Sequence, residues 1–196
     1  MIKAFFVHGF NVKDNGAGSM GKLLPYYADA GMATEMVSYG HFNLFEPRWE
    51  NGAVAEDLNS RIGNAKSDGY KTIVVGHSNG CAITQIAALL GAPIDKCVFI
   101  SAALDSNTEF PPNVGAVDVW HSRKDWVLRL AKLLPRHKWG DMGRIGATRY
   151  DRRVKNFDRS QNYESPSAWH SDIFKSPLLE YFAPVIMTES LLRLPK

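Results

Sequence analysis

Cysteine is scarce in this chain: Cys81 and Cys97 are the only two in 196 residues. They fall in an apolar helical stretch and in the strand that follows it, where they read as small buried hydrophobes, and a reducing cytoplasm is the expected compartment. Long apolar runs are missing too. The run inside MIKAFFVHG is too short for a signal-peptide core, and no later segment reaches the length of a membrane span, so no membrane crossing is expected. The sequence holds no internal repeat, no low-complexity tract and no linker. With 45% hydrophobic and 22% charged residues it has the composition of one soluble globular domain, residues 1–196, long enough to bury a substantial core. Among six histidines there is no H-E-x-x-H and no dense ligand cluster, so neither a metal nor another cofactor is expected.

Net charge is small as well, at +3, but unevenly spread. Residues 121–160 hold 12 Lys/Arg against 4 Asp, which makes that segment +8 and leaves the remainder at −5. A solvated surface with scattered charge accounts for this; the sharper alternative is a patch that attracts an anionic substrate or partner. Trp126, Trp139, Tyr150 and Phe157 fall in the same stretch, yet no RNA- or DNA-binding motif accompanies them, and no nucleic-acid partner is expected.

What is present is an alternation of short β-branched or apolar runs with helical patterns. Strands are expected at 2–7, 33–39, 71–75, 96–101, 116–121 and 152–157. Helices are expected at about 20–30, 53–66, 81–90, 126–134 and 177–192. That order implies an α/β domain with a mainly parallel sheet of about six strands and helices on both faces, a three-layer sandwich. Its functional residues are then sought beyond the strand carboxyl ends. GAGSMGK, residues 16–22, matches two phosphate-loop patterns, but HGFNVKDN separates it from the preceding strand. Leu23 stands where a Mg²⁺-binding hydroxyl is needed, and no acidic residue ends the 33–39 strand. The glycines are read as a loop, with Ser19 as a cap for the next helix.

One short stretch carries chemistry. TIVVGHSNGCAI, residues 72–83, is a strand that turns into a helix at Ser78, flanked at two-residue spacing by Gly76 and Gly80. A tight strand-to-helix turn forces its central residue into strain, and the positions two before and two after must be nearly free of side chain. The hydroxyl is thereby exposed above the sheet, with helix N–H groups behind it. Ser78 is the expected nucleophile. It needs a base and an orienting acid. WHSRKDWV places Asp125 just past the 116–121 strand, and SPSAWHSD places His170 after the 152–157 strand.

In this order, GHSNG then Asp125 then His170, the chain resembles the α/β-hydrolase superfamily over nearly its whole length, as a small, capless esterase- or lipase-like member. The resemblance implies an oxyanion hole made by the backbone N–H groups of Phe10, in the HGF of residues 8–10, and Asn79. It makes His8 and His77 structural residues. It leaves Asp105 as an alternative acid, less favoured than Asp125 because the strand before Asp125 matches the usual position. His121 and His137 are expected to lie on the surface or outside the reacting groups. Segment 134–153, with Trp139, Met142 and Ile145, is expected either to form a small lid or to be a surface excursion. Phe42, Leu44 and Phe45 in the HFNLF loop are pocket candidates, and Phe42, Trp139 and Met142 are named as substrate-binding. The implied activity is that of a serine hydrolase cleaving a carboxylic ester, thioester or amide of a small acyl substrate, which the basic segment would favour as anionic. Acyl transfer, and a non-catalytic binding module recognising an anionic partner, are the alternatives.

Overall fold

The computed structural model describes residues 1–10, 12–40, 50–131, 139–161 and 169–194. Its strands are β1 (Ile2–Val7), β2 (Ala33–Val37), β3 (Lys71–His77), β4 (Ile94–Ile100), β5 (Val114–His121) and β6 (Val154–Asp158). They form one sheet in the order β2-β1-β3-β4-β5-β6, and every neighbouring pair is parallel. The helices are α1 (Leu24–Asp29), α2 (Glu50–Ser67), α3 (Asn79–Leu89), α4 (Trp126–Ala131), the short α5 (Met142–Ile145) and α6 (Leu178–Leu192).

Successive side chains on a strand point to opposite faces, and the apolar runs supply both. Phe5, Val7, Val74, Cys97, Phe99, Val117 and Val119 pack against Leu58 and Ile62 of α2 and Ile83 and Ala87 of α3. The alternate residues, Ala4, Phe6, Ile73, Val75, Val98, Ile100 and Trp120, pack against Tyr27 of α1 and Phe182, Ala183 and Ile186 of α6. Two cores on one sheet make the three layers. The edge strands are wetter, and charge protects them from further pairing: Glu35 of β2 binds both Lys3 and Arg61, and Lys155 of β6 binds Glu189.

Chain order reverses between β1 and β3. The connection leaving β1 leads to β2 on one side, while β3 lies on the other, hydrogen-bonded to β1 with Val7 opposite Gly76. In an open parallel sheet such a reversal leaves a crevice beyond the strand ends. The loops that begin at His8 and Ser78 border it.

One local expectation is corrected. Ser19 precedes the 3₁₀ turn at Met20–Leu23 but makes no side-chain cap bond; its hydroxyl reaches the Gly16 carbonyl at 3.4 Å. The organiser of that loop is Asp14, whose carboxylate accepts the amides of Gly16 at 3.1 Å and Gly18 at 2.7 Å, so an internal anion occupies amides that a phosphate loop would offer its ligand. The described part of 134–153 packs closely against its neighbours. Gly140 and Gly143 lie against the chain after β4, so tightly that a Cβ on Gly140 would fall 1.9 Å from Leu104 carbonyl atoms and one on Gly143 2.3 Å from the Ser101 carbonyl carbon. Amides of Met142 and Gly143 donate to the carbonyls of Leu104 and Ala102 at 2.9 Å each. The glycines are a packing requirement, and the segment braces the loop that follows β4.

Between β4, β5 and α6 lies a group of buried charges. Lys96 Nζ forms an ion pair with Asp118 at 2.7 Å, both side chains being fully buried, and donates to the Glu189 carbonyl at 2.6 Å. Arg193 donates to the other Asp118 oxygen at 2.6 Å. Burial pushes the Lys96 ammonium down and the Asp118 carboxyl up from their ordinary values, and their mutual pairing opposes both displacements. Removing one partner of such a set leaves an uncompensated charge in the core. Asp118→Ala is therefore expected to cost about 3–5 kcal/mol, measured by urea unfolding against the parent protein.

Candidate active site

Ser78 follows the last residue of β3 and precedes α3, with φ 54° and ψ −117°. This is left-handed backbone that a non-glycine residue adopts only when its surroundings impose it. The turn is tied down: the Ser78 amide donates to the Ile100 carbonyl at 3.0 Å, while its own carbonyl accepts the amides of Cys81 at 3.1 Å and Ala103 at 3.2 Å. The two flanking glycines are needed for different approaches. A Cβ on Gly80 would lie 2.2 Å from the Val7 carbonyl oxygen, because the first turn of α3 passes directly over the end of β1. A Cβ on Gly76 would meet the Cys81 amide at 3.0 Å.

The side chains that the sequence analysis singled out converge here. His170 Nε2 lies 2.8 Å from Ser78 Oγ, and Nδ1 lies 2.8 Å from Asp125 Oδ2. Asp125 is fully buried just beyond β5, and its other oxygen accepts the Leu128 amide at 3.2 Å in the first turn of α4. A carboxylate on Nδ1 makes that nitrogen the protonated one and leaves Nε2 to accept from the serine hydroxyl. Asp105, the alternative acid, is solvent-exposed, and its carbonyl serves a turn to Thr108. His121 is buried with Nδ1 3.3 Å from the Arg144 carbonyl, not on the surface, and His137 lies outside the described residues.

The His8–Phe10 loop reaches the same place. A Cβ on Gly9 would lie 2.9 Å from His77 Nδ1 and 3.1 Å from Ser78 Cβ, so the missing side chain makes room for both residues. The Tyr39 ring stacks on His8 with centroids 4.0 Å apart, and its hydroxyl reaches the carbonyls of His8 at 2.6 Å and Gly9 at 2.9 Å, fixing the peptides that lead to Phe10. On the other side of Ser78, the Asn79 carboxamide is engaged by Asn51 of α2 in two hydrogen bonds of 3.0 Å. Only its backbone remains for chemistry.

A cavity of about 400 Å³ opens beside Ser78 and His170, walled by Phe10, Trp126, Leu128, Trp139 and Trp169. Its rings meet edge to face, Phe10 with Trp139 at 5.5 Å and Trp126 with Trp169 at 6.3 Å. Among the named pocket candidates, Trp139 lines this space. Met142 does not: it is fully buried in the core on the α2–α3 face of the sheet. Phe42, Leu44 and Phe45 lie outside the described residues. Trp126 and Trp169 were not singled out as pocket residues, although each stands beside a residue that was, in KDWV and SAWH. Nothing local in the sequence marks Asn51 or Tyr39. Much of the described charge of 121–160 is engaged away from the cavity: Arg149 pairs with Glu109, Lys155 with Glu189, and Arg153 with Asp151 and three carbonyls of residues 110–114. The cation that lines the cavity is Lys175, paired with Asp172 at 2.9 Å.

No protein-family model matches the sequence, and no curated protein does. Solved structures do. An α/β serine hydrolase without lid from Xanthomonas campestris superimposes with a TM-score of 0.63 at 11% identity, covering 100% of this chain and 83% of that one. Carboxyl esterase 2 from the mycorrhizal fungus Tuber melanosporum gives 0.65 at 12% identity, with 98% and 79% covered. Monoacylglycerol lipase from Paleococcus ferrophilus gives 0.60 at 13% identity, with 97% and 94% covered.

The tightest contact in the turn yields a stability test. Gly80→Ala puts a methyl group into the Val7 carbonyl, and overpacking of this kind costs about 1–3 kcal/mol. The expected outcome is a melting temperature lowered by several degrees, with Gly52→Ala, where a Cβ meets nothing within 4 Å, as the benign control.

Proposed function

On the premise that the chain has the α/β-hydrolase fold, we propose that it is a serine hydrolase that cleaves a carboxylic ester through an acyl-enzyme. The observation that carries this reading is the unbroken chain Ser78–His170–Asp125, two hydrogen bonds of 2.8 Å ending on a serine held in left-handed backbone at a strand-to-helix turn.

His170 Nε2 takes the Ser78 proton as Oγ attacks the carbonyl carbon. The imidazolium so formed is stabilised by Asp125, whose burial keeps water from weakening the interaction. The developing oxyanion is assigned to the backbone N–H groups of Phe10 and Asn79, the first held by the Tyr39-braced loop and the second at the start of α3. His170 then returns its proton to the leaving oxygen, and water attacks the acyl-enzyme by the same route in reverse. The cavity walls imply that an apolar part of the substrate is bound beside the scissile bond. Thioesters and amides are chemically open to the same residues, which do not discriminate between these leaving groups; an ester is favoured because two of the structural neighbours are named as an esterase and a lipase.

Three outcomes are expected. Ser78 is labelled by a fluorophosphonate probe, and Ser78→Ala loses both labelling and ester turnover; equal labelling of the alanine variant would exclude Ser78 as nucleophile. Asp125→Asn lowers kcat by up to about 10⁴, the loss known for this change in a serine-protease triad, while Asp105→Asn at matched melting temperature has little effect. The reverse ranking would move the acid to the loop after β4. Trp126→Ala and Trp169→Ala, at positions 47% and 48% exposed, lower kcat/KM for long-chain or aryl esters about tenfold and for acetates hardly at all, as loss of apolar contact requires. A uniform loss across a graded p-nitrophenyl ester series would exclude the cavity as the substrate pocket.

A further inference from the structure

One buried cation takes no part in that mechanism. Arg159 directly follows β6 and is 2% exposed, yet its Nε has no hydrogen-bond partner among the described residues. Burial pushes its guanidinium down to about 10, against the attraction of Asp125, Asp172 and Asp158, so it stays charged at neutral pH. Burying a guanidinium without full pairing is expensive, and the sheet would close as well over an apolar residue.

The bond Arg159 does make leads to the active site. Its Nη2 donates to Ser101 Oγ at 2.7 Å, and Ser101 Oγ lies 2.9 Å from the backbone carbonyl of His170. A guanidinium can only donate, and a serine hydroxyl has one proton. Ser101 therefore accepts from Arg159 and gives its proton to the His170 carbonyl. The residue that does this is itself strained: Ser101 has φ 49°, is fully buried, and is braced by Gly143 packed against its carbonyl carbon. A second donor meets the same carbonyl, His77 Nε2 at 3.1 Å. Because a carbonyl cannot donate, Nε2 carries the His77 proton; burial holds this imidazole well below its usual range, so it is the neutral tautomer.

We infer that Arg159 and Ser101 are positioning residues, which hold the backbone carbonyl of His170 so that its imidazole spans the gap between Ser78 and Asp125. The relay draws on three strand ends. Ser101 follows Ile100, which stands opposite His77 at the end of β3, and Arg159 follows Asp158, which stands opposite His121 at the end of β5. The side chain of His170 is thus gripped by its two partners while its main chain is gripped from behind. This rests on the hydrolase reading for its catalytic consequence but not for its geometry.

The test separates a positioning role from a folding role. Active sites are first counted by fluorophosphonate titration, and kcat is expressed per titrated site. Ser101→Gly accepts the positive φ without strain and removes the hydroxymethyl side chain. It is expected to lower kcat per site roughly 10- to 100-fold, with KM within about twofold because Ser101 does not line the cavity. Arg159→Gln has a similar effect, Arg159→Lys restores part of the loss, and Ser101→Gly with Arg159→Gln costs little more than either alone, as members of one chain require. In parallel, the ¹H resonance of His170 Nδ1–H shifts or broadens in Ser101→Gly, a readout that needs no turnover. Unchanged kcat per titrated site and an unchanged resonance in Ser101→Gly would overturn the relay. Failure of the parent protein to label at Ser78 counts against the hydrolase reading instead, and the resonance still decides the relay.

Discussion

The passage of α3 over the end of β1 is the contact on which the site depends. Gly80 lets helix backbone come so close to the Val7 carbonyl that no side chain fits between them, and this closeness aims Ser78 up into the crevice beside the His8–Phe10 loop. The strain at Ser78 is sustained by two backbone hydrogen bonds from β4 and the loop after it, to Ile100 and Ala103, and by a third within the turn from the Cys81 amide, so the sheet holds the turn together with its own first helical residues.

Buried charge is used in two ways. Lys96 and Arg193 both pair with Asp118 between the sheet and α6, and their role is cohesion. Among the described residues Arg159 has no ion pair, and its guanidinium donates to Ser101. A paired cluster tolerates the low dielectric; a guanidinium without such a pair persists there when the field of nearby carboxylates offsets part of its burial, here Asp125, Asp172 and Asp158. Cys81 and Cys97 need no such offset. Burial keeps both thiols protonated, and they pack as apolar residues.

The segment after α4 shows what glycine means in a local reading. Glycines with scattered large apolar residues resemble a cover over a pocket, yet Gly140 and Gly143 are small because the chain is pressed against residues 101–105. Trp139 turns to the cavity and Met142, three residues on, turns into the core. Periodicity cannot separate the two, since no regular element spans both. Glycine signals freedom or crowding with the same letter, and only the neighbours tell which.

By itself the sequence determined the parallel α/β architecture, because β-branched runs alternate with helical patterns and each strand supplies apolar side chains to both faces. It also determined the turn at Ser78, where Gly76 leaves room for the Cys81 amide five residues on, and the order in which Asp125 and His170 follow; the crowding that Gly80 answers comes from the distant Val7 carbonyl. Tertiary structure alone decided which carboxylate meets the imidazole: Asp105 and Asp125 both follow strands, and only register and the brace from α5 leave the first in solvent and bury the second. It alone assembled Arg159, Ser101 and His77 around one carbonyl. Those residues are 58 and 93 positions from their partners and carry no shared motif, since hydrogen bonds across strand ends depend on how the sheet aligns them and not on what stands beside them in the chain.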